Sequence, residues 1–457
     1  MKKNATNESV LSLYLDGRKA KKQGPEAVKK RQRKRLAELV AFARAHSPYY
    51  HELYQGLPEK IEDLNLLPIT DKKKLMARFD DWATDREITV DKAQKFVGNL
   101  NLIGERFLGK YVLITTSGTT GTPGIFVVDE KTLAVTQTML LRWLMAWQVS
   151  LIDIAKVIFG RFRTAMICAT GGHYAEVVAA NRMRKGSKRR AKAIRVFSVD
   201  MPTPELVAQL NKFRPTLLSP YASIGALLAS EQDAGRLQIN PALVVLSAEG
   251  LPLPEYDRIA NAFKTKVLYS YAATECMFIG PACEHHWLHV NADWVLLEPV
   301  DADYRATPPG VMSHTVLVTN LANKTQPIIR YDLGDRIMLK PEPCSCGNTL
   351  PAIRVLGRTA DVLTFKKDNG EKVSIPALVL ELDLIPGVEK AQIVQISPTN
   401  LQLRLRLAAD ADSDYAWQIA EANTKHLLKK RGLNNVAIER SKELPEQSAG
   451  GKYRSVI

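Results

Sequence analysis

From about residue 110 onward, short unbroken apolar runs alternate with helix-patterned stretches, and that alternation restricts the chain to few architectures. Residues 111–115, 156–168, 193–199, 215–219 and 243–247 read as strands. Residues 130–148, 204–213 and 222–234 between them read as helices. A strand apolar along its length must be covered on both faces, and parallel strands need crossover helices to join them. The pattern predicts an α/β fold with largely parallel sheets.

Beyond residue 356 the pattern changes. Residues 361–366 and 371–375 are β-like around Asp368-Asn369-Gly370, a strong turn signal. A short helix, strands at 389–397 and 400–407, a helix at 413–431 closed by Gly432 and a strand at 435–440 follow. This order predicts a small α+β domain, and with no low-complexity linker before it the junction reads as a tight hinge. Near the N-terminus, 28–56 reads as an amphipathic helix ending near Ser47-Pro48-Tyr49-Tyr50, where Pro48 stops the pattern.

The 457 residues, 46% hydrophobic and 24% charged, exclude disorder and small disulfide scaffolds. The most apolar region, 133–159, is interrupted by Arg142, Asp153 and Lys156, so no membrane span is expected. The opening MKKNATNESV has no apolar core for a signal peptide, and a cytoplasmic location is expected. The net charge is +15, concentrated in two runs: ten Lys/Arg in 16–35 and eight in 181–195. Such runs are either solvated faces or sites for phosphate backbones or anionic lipid. Neither has the interleaved aromatics of a single-strand platform, which makes nucleic acid a weak expectation. No motif bears on oligomeric state.

The segment Thr115-Thr116-Ser117-Gly118-Thr119-Thr120-Gly121-Thr122-Pro123-Gly124 follows a strand. Glycines let backbone N–H groups close on an anion, and the hydroxyls add donors. The Gly-Lys-Ser/Thr ending of a Walker loop is absent. By composition alone, a polar turn is the equal alternative.

The segment resembles the phosphate-binding loop of adenylate-forming enzymes, the superfamily of acyl-CoA synthetases, peptide-synthetase adenylation domains and luciferases. Further motifs follow in the same order. Tyr271-Ala272-Ala273-Thr274-Glu275 resembles Tyr-Gly-x-Thr-Glu, and Tyr331-Asp332-Leu333-Gly334-Asp335 resembles Tyr-x-x-Gly-Asp. Gly357-Arg358 resembles the hinge, and Gly451-Lys452-Tyr453-Arg454 the terminal Gly-Lys-x-x-Arg. Ser47-Pro48-Tyr49-Tyr50, Leu67-Pro68-Ile69-Thr70-Asp71-Lys72, Phe213-Arg214-Pro215 and Cys344-Ser345-Cys346-Gly347 narrow the likeness to the phenylacetate–CoA ligase family. The resemblance implies a large multi-sheet N-terminal domain over 1–356 that binds ATP and the acid, a hinge at 357–361 and a small lid domain over 362–457.

It also implies roles. Thr116, Ser117, Gly118, Thr119, Thr120 and Gly121 would cradle the β- and γ-phosphates of ATP. Glu275 would hold Mg²⁺, a hard oxygen for a hard cation, and Thr274 would donate to the α-phosphate. Tyr271 would lie against adenine, Asp335 would accept the ribose hydroxyls and Arg358 would touch ribose or phosphate. Lys452 would bridge the acid carboxylate and the phosphate, a fixed cation for charge developing in the transition state. The implied reaction is ATP-dependent adenylation of an aromatic or arylalkyl acid, then transfer to coenzyme A. An amine acceptor, giving an amide ligase, is the alternative. A nucleic-acid- or membrane-surface-binding protein on an inactive scaffold is a third reading, opposed by the joint retention of Glu275, Asp335 and Lys452.

Cys283, His289, Cys344 and Cys346 would make a closed Cys₃His zinc site, structural because it leaves no open position. Some members of the resembled family carry such a site here. His285 and His286 are rival ligands, and a buried Cys283 beside a merely reduced Cys344 turn is the alternative. Cys168 and His173 lie where an acyl pocket could form, although a loop histidine is more often structural. Three positions depart from the superfamily pattern. Gly124 stands where many members have Lys, Ala272 replaces Gly, and Ala360, followed by Asp361, replaces the charged residue of the hinge.

Overall fold

The structure, a computed structural model, describes residues 9–446 apart from 62, 117–123, 147–150, 359–361, 368, 371, 377–381, 383–384 and 409–410, together with Val456. The N-terminal region is helical. Ser9 caps the helix Val10–Lys22 by accepting from the amide of Ser12, and Pro25 opens the helix Pro25–His46. Val28, Leu36, Leu39, Val40 and Ala43 form its buried stripe, the period expected of a surface helix. The helix ends at Ser47, but Pro48 does not end helical structure. It occupies the first turn of a new helix, Pro48–Leu53, capped by the Ser47 hydroxyl, a position where its missing N–H costs nothing.

Part of the first basic run is internally neutralised. Arg31 and Arg35 both reach Asp16, Arg35 lies 3.5 Å over the Trp294 ring, and Arg142 makes two 3.0 Å bonds to the buried Asp293.

Strands β1 (Val112–Thr115) and β2 (Ile125–Val128) pair antiparallel, with Thr115 opposite Ile125. Strands β3 (Thr164–Cys168), β4 (Ile194–Ser198), β5 (Leu217–Pro220), β6 (Leu243–Leu246), β7 (Lys266–Ala273) and β8 (Cys276–Pro281) form one sheet in the order β4-β3-β5-β6-β7-β8. The first five strands of that order are parallel, and β8 returns antiparallel to β7. Leu210 and Phe213 from the helix Thr203–Phe213, Leu228 from Ala222–Asp233 and Ile259 from Leu253–Phe263 belong to its core. Residues 156–168 do not form a single strand. The helix Leu151–Phe159 runs into a turn, and β3 begins only at Thr164.

Two further sheets are three-stranded. Strands β9 (Leu288–His289), β10 (Val295–Val300), β11 (Thr315–Asn320), β12 (Ile328–Asp332), β13 (Asp335–Leu339) and β14 (Ala352–Arg358) pair as β10-β11-β12 and β13-β14-β9, all antiparallel. Thus, before residue 359, parallel strand pairing is confined to the six-stranded sheet, and beyond it only β18 (Asn400–Leu407) and β19 (Ala437–Arg440), joined through a helix, pair parallel. Gly280 of β8 is required where it stands: a Cβ there would lie 2.5 Å from the carbonyl oxygen of His289.

Strands β15 (Val362–Lys366), β16 (Lys372–Pro376), β17 (Val388–Ser397), β18 (Asn400–Leu407) and β19 (Ala437–Arg440) pack with the helix Ser413–Lys430. Among the described residues, their core of Leu363, Phe365, Ile393, Leu403, Ala420 and Leu428 draws on none before 363. Among the described residues, no helix is long and apolar enough to cross a membrane.

Candidate active site

The threonine- and glycine-rich segment joins β1 to β2, and its neck is closed by Thr116 and Gly124. The Thr116 amide donates to the Gly124 carbonyl at 2.9 Å, and the Gly124 amide donates to Thr116 Oγ1 at 2.8 Å. Ser117, Gly118, Thr119, Thr120 and Gly121 lie outside the described residues. Lys72, not singled out as a site residue by sequence, reaches this neck and donates from Nζ to Thr116 Oγ1 at 3.3 Å. Its position is set by Thr70, which exchanges backbone hydrogen bonds with Arg330 and Asp332 and so lies beside Tyr331 of β12. The only sequence signal for Lys72 was its place at the end of the motif 67–72.

The next two motifs interlock. Thr274 and Glu275 form the two-residue turn of the β7–β8 hairpin, with Ala273 opposite Cys276. Ala272 falls at a slip in register between Tyr271 and Ala273. The buried Tyr271 hydroxyl donates to Asp335 Oδ2 at 2.6 Å, and the Tyr331 hydroxyl donates to Glu275 Oε1 at 2.8 Å. Burial and the neighbouring Glu275 charge push the Tyr331 phenol well above its ordinary value, which keeps it a donor. Asn320 fixes the Glu275 carbonyl from β11 at 3.0 Å.

Asp335 begins β13 after Gly334, whose φ of +74° lets the chain turn out of β12. Its strand partner is Arg358, so the backbone places the hinge motif directly opposite the carboxylate. Lys452, Ala360 and Asp361 lie outside the described residues. Thr274, Glu275, Tyr271 and Asp335 are therefore gathered at the carboxyl end of β7, the end where open α/β sheets bind ligands.

Cys168 and His173 take other parts. Cys168 is buried, and burial pushes its thiol up to about 12. The His173 carbonyl accepts the Thr115 amide at 2.8 Å, while its ring packs near Phe96 and its Nε2 is 3.2 Å from the Asn99 carbonyl. His173 thus buttresses the end of β1.

Cys283, His289, Cys344 and Cys346 converge, with their ligand atoms all within 4.8 Å of one another. Cys283 Sγ and Cys344 Sγ are 3.8 Å apart, and bonds of 2.3 Å at tetrahedral angles require about 3.8 Å. His289 Nδ1 is 3.1 Å from the Leu350 carbonyl, which leaves Nε2, 3.2 Å from Cys346 Sγ, to face the thiols. Burial lowers the His289 pKa and raises the Cys283 and Cys346 thiols, the latter to about 11. The two rival histidines point elsewhere: His286 Nδ1 meets the Tyr269 hydroxyl at 3.1 Å, and His285 is exposed beside Glu284. The donor set and spacing fit zinc.

No family model matches the chain. It is 24% identical to phenylacetate-coenzyme A ligase of Thermus thermophilus over 380 residues, 79% of this chain and 77% of the relative. It is also 24% identical to Protein CapK of Staphylococcus aureus over 447 residues, covering 93% of this chain and 88% of that protein. Among solved structures, it superposes on 2-hydroxyisobutyryl-CoA ligase in the postadenylation state with a TM-score of 0.64 at 19% identity, over 94% of this chain and 89% of the other. The same ligase in its thioesterification state gives 0.51 over the same shares at 20% identity. The chain is thus similar along most of its length to a phenylacetate-coenzyme A ligase and shares the fold of 2-hydroxyisobutyryl-CoA ligase.

Proposed function

We propose that this protein adenylates a carboxylic acid with ATP and transfers the acyl group to coenzyme A. The observation that carries the reading is the pair of tyrosine–carboxylate bonds, Tyr271–Asp335 and Tyr331–Glu275, which lock the 271–275 and 331–335 motifs into one site. In this reading Asp335 accepts the ribose hydroxyls beside Tyr271, and Arg358 serves from the facing strand. Glu275 holds Mg²⁺, which when bound neutralises charge on the phosphates. Thr274 donates to the α-phosphate. The loop 116–121 cradles the outer phosphates, with Lys72 adding a cation at its neck. Lys452 acts from a lid over 362–457 that turns about 357–361, and the separate core beyond residue 361 supports such a division.

An aromatic or arylalkyl acid is the proposed substrate class, supported by the name of the Thermus relative. Zinc is proposed as a structural ion held by Cys283, His289, Cys344 and Cys346, and its four-donor set leaves no position for chemistry. A cytoplasmic setting belongs to the same proposal. The test is pyrophosphate release across a panel of carboxylic acids, with and without coenzyme A or amines. Acid-dependent release with a thioester product is expected. Release that yields products only with amines would replace the acceptor, and no release with any acid would overturn the reading.

A further inference from the structure

We propose that the end of the six-stranded sheet opposite the candidate active site docks on an anionic lipid surface. The register of the parallel strands defines that end. Thr164 lies beside Ile194 and Leu217, Leu217 beside Leu243, and Leu243 beside Lys266. The segments that enter these strands therefore share one edge, a strand length away from Tyr271 and Glu275.

The chain leading into β3 presents an apolar tip there. Phe159 is 85% exposed, Phe162 56% and Ile158 54%. Met145, 62% exposed, ends a helix whose Trp143 packs among Leu217 and Leu243, and so lies at the same edge. The tip is built. Arg161 and Phe162 adopt φ of +57° and +55°, a conformation that residues with a Cβ rarely take. The turn is clamped because the Arg163 carbonyl accepts from the Thr216 amide, the Thr216 hydroxyl and the Leu217 amide. Gly160 permits the approach, since a Cβ there would lie 2.0 Å from Thr216 Cγ2. A strained, clamped backbone that holds two phenylalanines in water calls for an apolar partner.

The surroundings specify its charge. Lys156 and Arg161 are exposed on the tip, and Arg163 and Arg214 line an adjoining open recess of about 580 Å³. The helix Lys188–Ala193, which leads into β4, adds Arg189 and Arg190, both exposed. Among the described residues, neither of those two has an acidic partner, in contrast to the run 16–35 with its links to Asp16 and Asp293. Exposed phenylalanines ringed by arginine and lysine match the interface of an anionic bilayer, where rings enter the acyl boundary and cations meet phosphates. A nucleic-acid partner would match the charge and leave the apolar tip unused.

The experiment is flotation of the full chain with vesicles of phosphatidylcholine alone or of phosphatidylcholine and phosphatidylglycerol in equal parts, across a salt series. The protein is expected to float only with the anionic vesicles, less so as salt rises. Phe159→Ser with Phe162→Ser should abolish flotation. Arg189→Glu with Arg190→Glu should weaken the partition by at least about fivefold for each side chain changed. Both variants should keep the parent's thermal unfolding and acid-dependent pyrophosphate release. Three results overturn the proposal: no flotation with anionic vesicles, flotation unchanged in the phenylalanine variant, or tight binding to duplex RNA that the phenylalanine variant retains. Light scattering that shows the phenylalanine variant losing a dimer while still floating would assign the tip to a second copy instead.

Discussion

Removing the Tyr331 hydroxyl tests whether Glu275 is held for a metal or merely packed. Tyr331 is 2% exposed, and its Oη–Oε1 distance to Glu275 is 2.8 Å. Tyr331→Phe keeps the ring and its packing and deletes one charge-assisted donor. Hydrogen bonds to charged groups contribute about 1.5–3 kcal/mol. If that energy fixes the orientation of Glu275 in the transition state, the adenylation rate falls by about 10- to 150-fold. The folded state should lose less, about 1 kcal/mol, because Glu275 lies at a hairpin turn that water can reach. The discriminating measurement is acid-dependent pyrophosphate release against Mg²⁺ concentration, beside thermal unfolding of the same preparation. A carboxylate freed to rotate should raise the Mg²⁺ concentration for half-maximal rate as well as lower the maximum. A rate within about twofold of the parent, with unchanged Mg²⁺ dependence, refutes the reasoning.

Metal analysis should find one zinc per chain, and Cys344→Ala should remove it and lower thermal stability while the surviving fold still adenylates. Lys452→Ala should abolish acid-dependent pyrophosphate exchange, by about 10²–10³ or more, yet still allow thioester formation from supplied acyl-adenylate; parallel loss of both refutes its role. Lys72→Met should weaken ATP binding, read by equilibrium titration, with the fold unchanged in thermal unfolding. Burial raises the Asp16 carboxyl, but Arg31 and Arg35 outweigh it and hold the group below 3.8. Its stabilisation should be present above pH 3.8 and vanish as pH falls through the lowered folded value. The stability difference between the parent and Asp16→Asn, followed by denaturant unfolding, should disappear over that same window.

Much of the fold was legible because a buried parallel strand and an amphipathic helix leave different periods in sequence. The helices Thr203–Phe213 and Ala222–Asp233 and the strands β4 and β6 fell within a residue or two of expectation. The run 156–168 misled because its apolar composition continues across a helix, a turn and a strand. Gly160, Arg161 and Arg163 at the junction are too few to interrupt the pattern, and the break at Arg161–Phe162 is one of backbone conformation. The helix Val10–Lys22 was missed for the opposite reason, since its charges concealed the narrow stripe of Leu13, Gly17 and Ala20. Spacing brought Cys283, His289, Cys344 and Cys346 together but left three histidines open; only strand pairing, with His289 opposite Ala352, turns one of them inward. What sequence could not supply at all was how the motifs touch, because Tyr271–Asp335 and Tyr331–Glu275 join residues 64 and 56 apart.

The glycine at the end of the loop shows what such contacts add. Many members of the resembled superfamily have a lysine where this chain has Gly124, and in isolation that reads as a lost phosphate ligand. The geometry argues for relocation. A Cβ at 124 would lie 2.8 Å from Phe126 Cε2 and 3.2 Å from Lys72 Cε, so the space a lysine stem would need is already filled by Lys72. Lys72 brings its ammonium to Thr116 Oγ1 at 3.3 Å. Lys72 is carried by a segment hydrogen-bonded across Thr70 to β12. That strand also carries Tyr331, which holds Glu275. One strand thereby positions both the cation at the loop's neck and the carboxylate proposed for Mg²⁺. A distortion of β12 should accordingly disturb both phosphate-facing groups together, even when it touches neither of them directly.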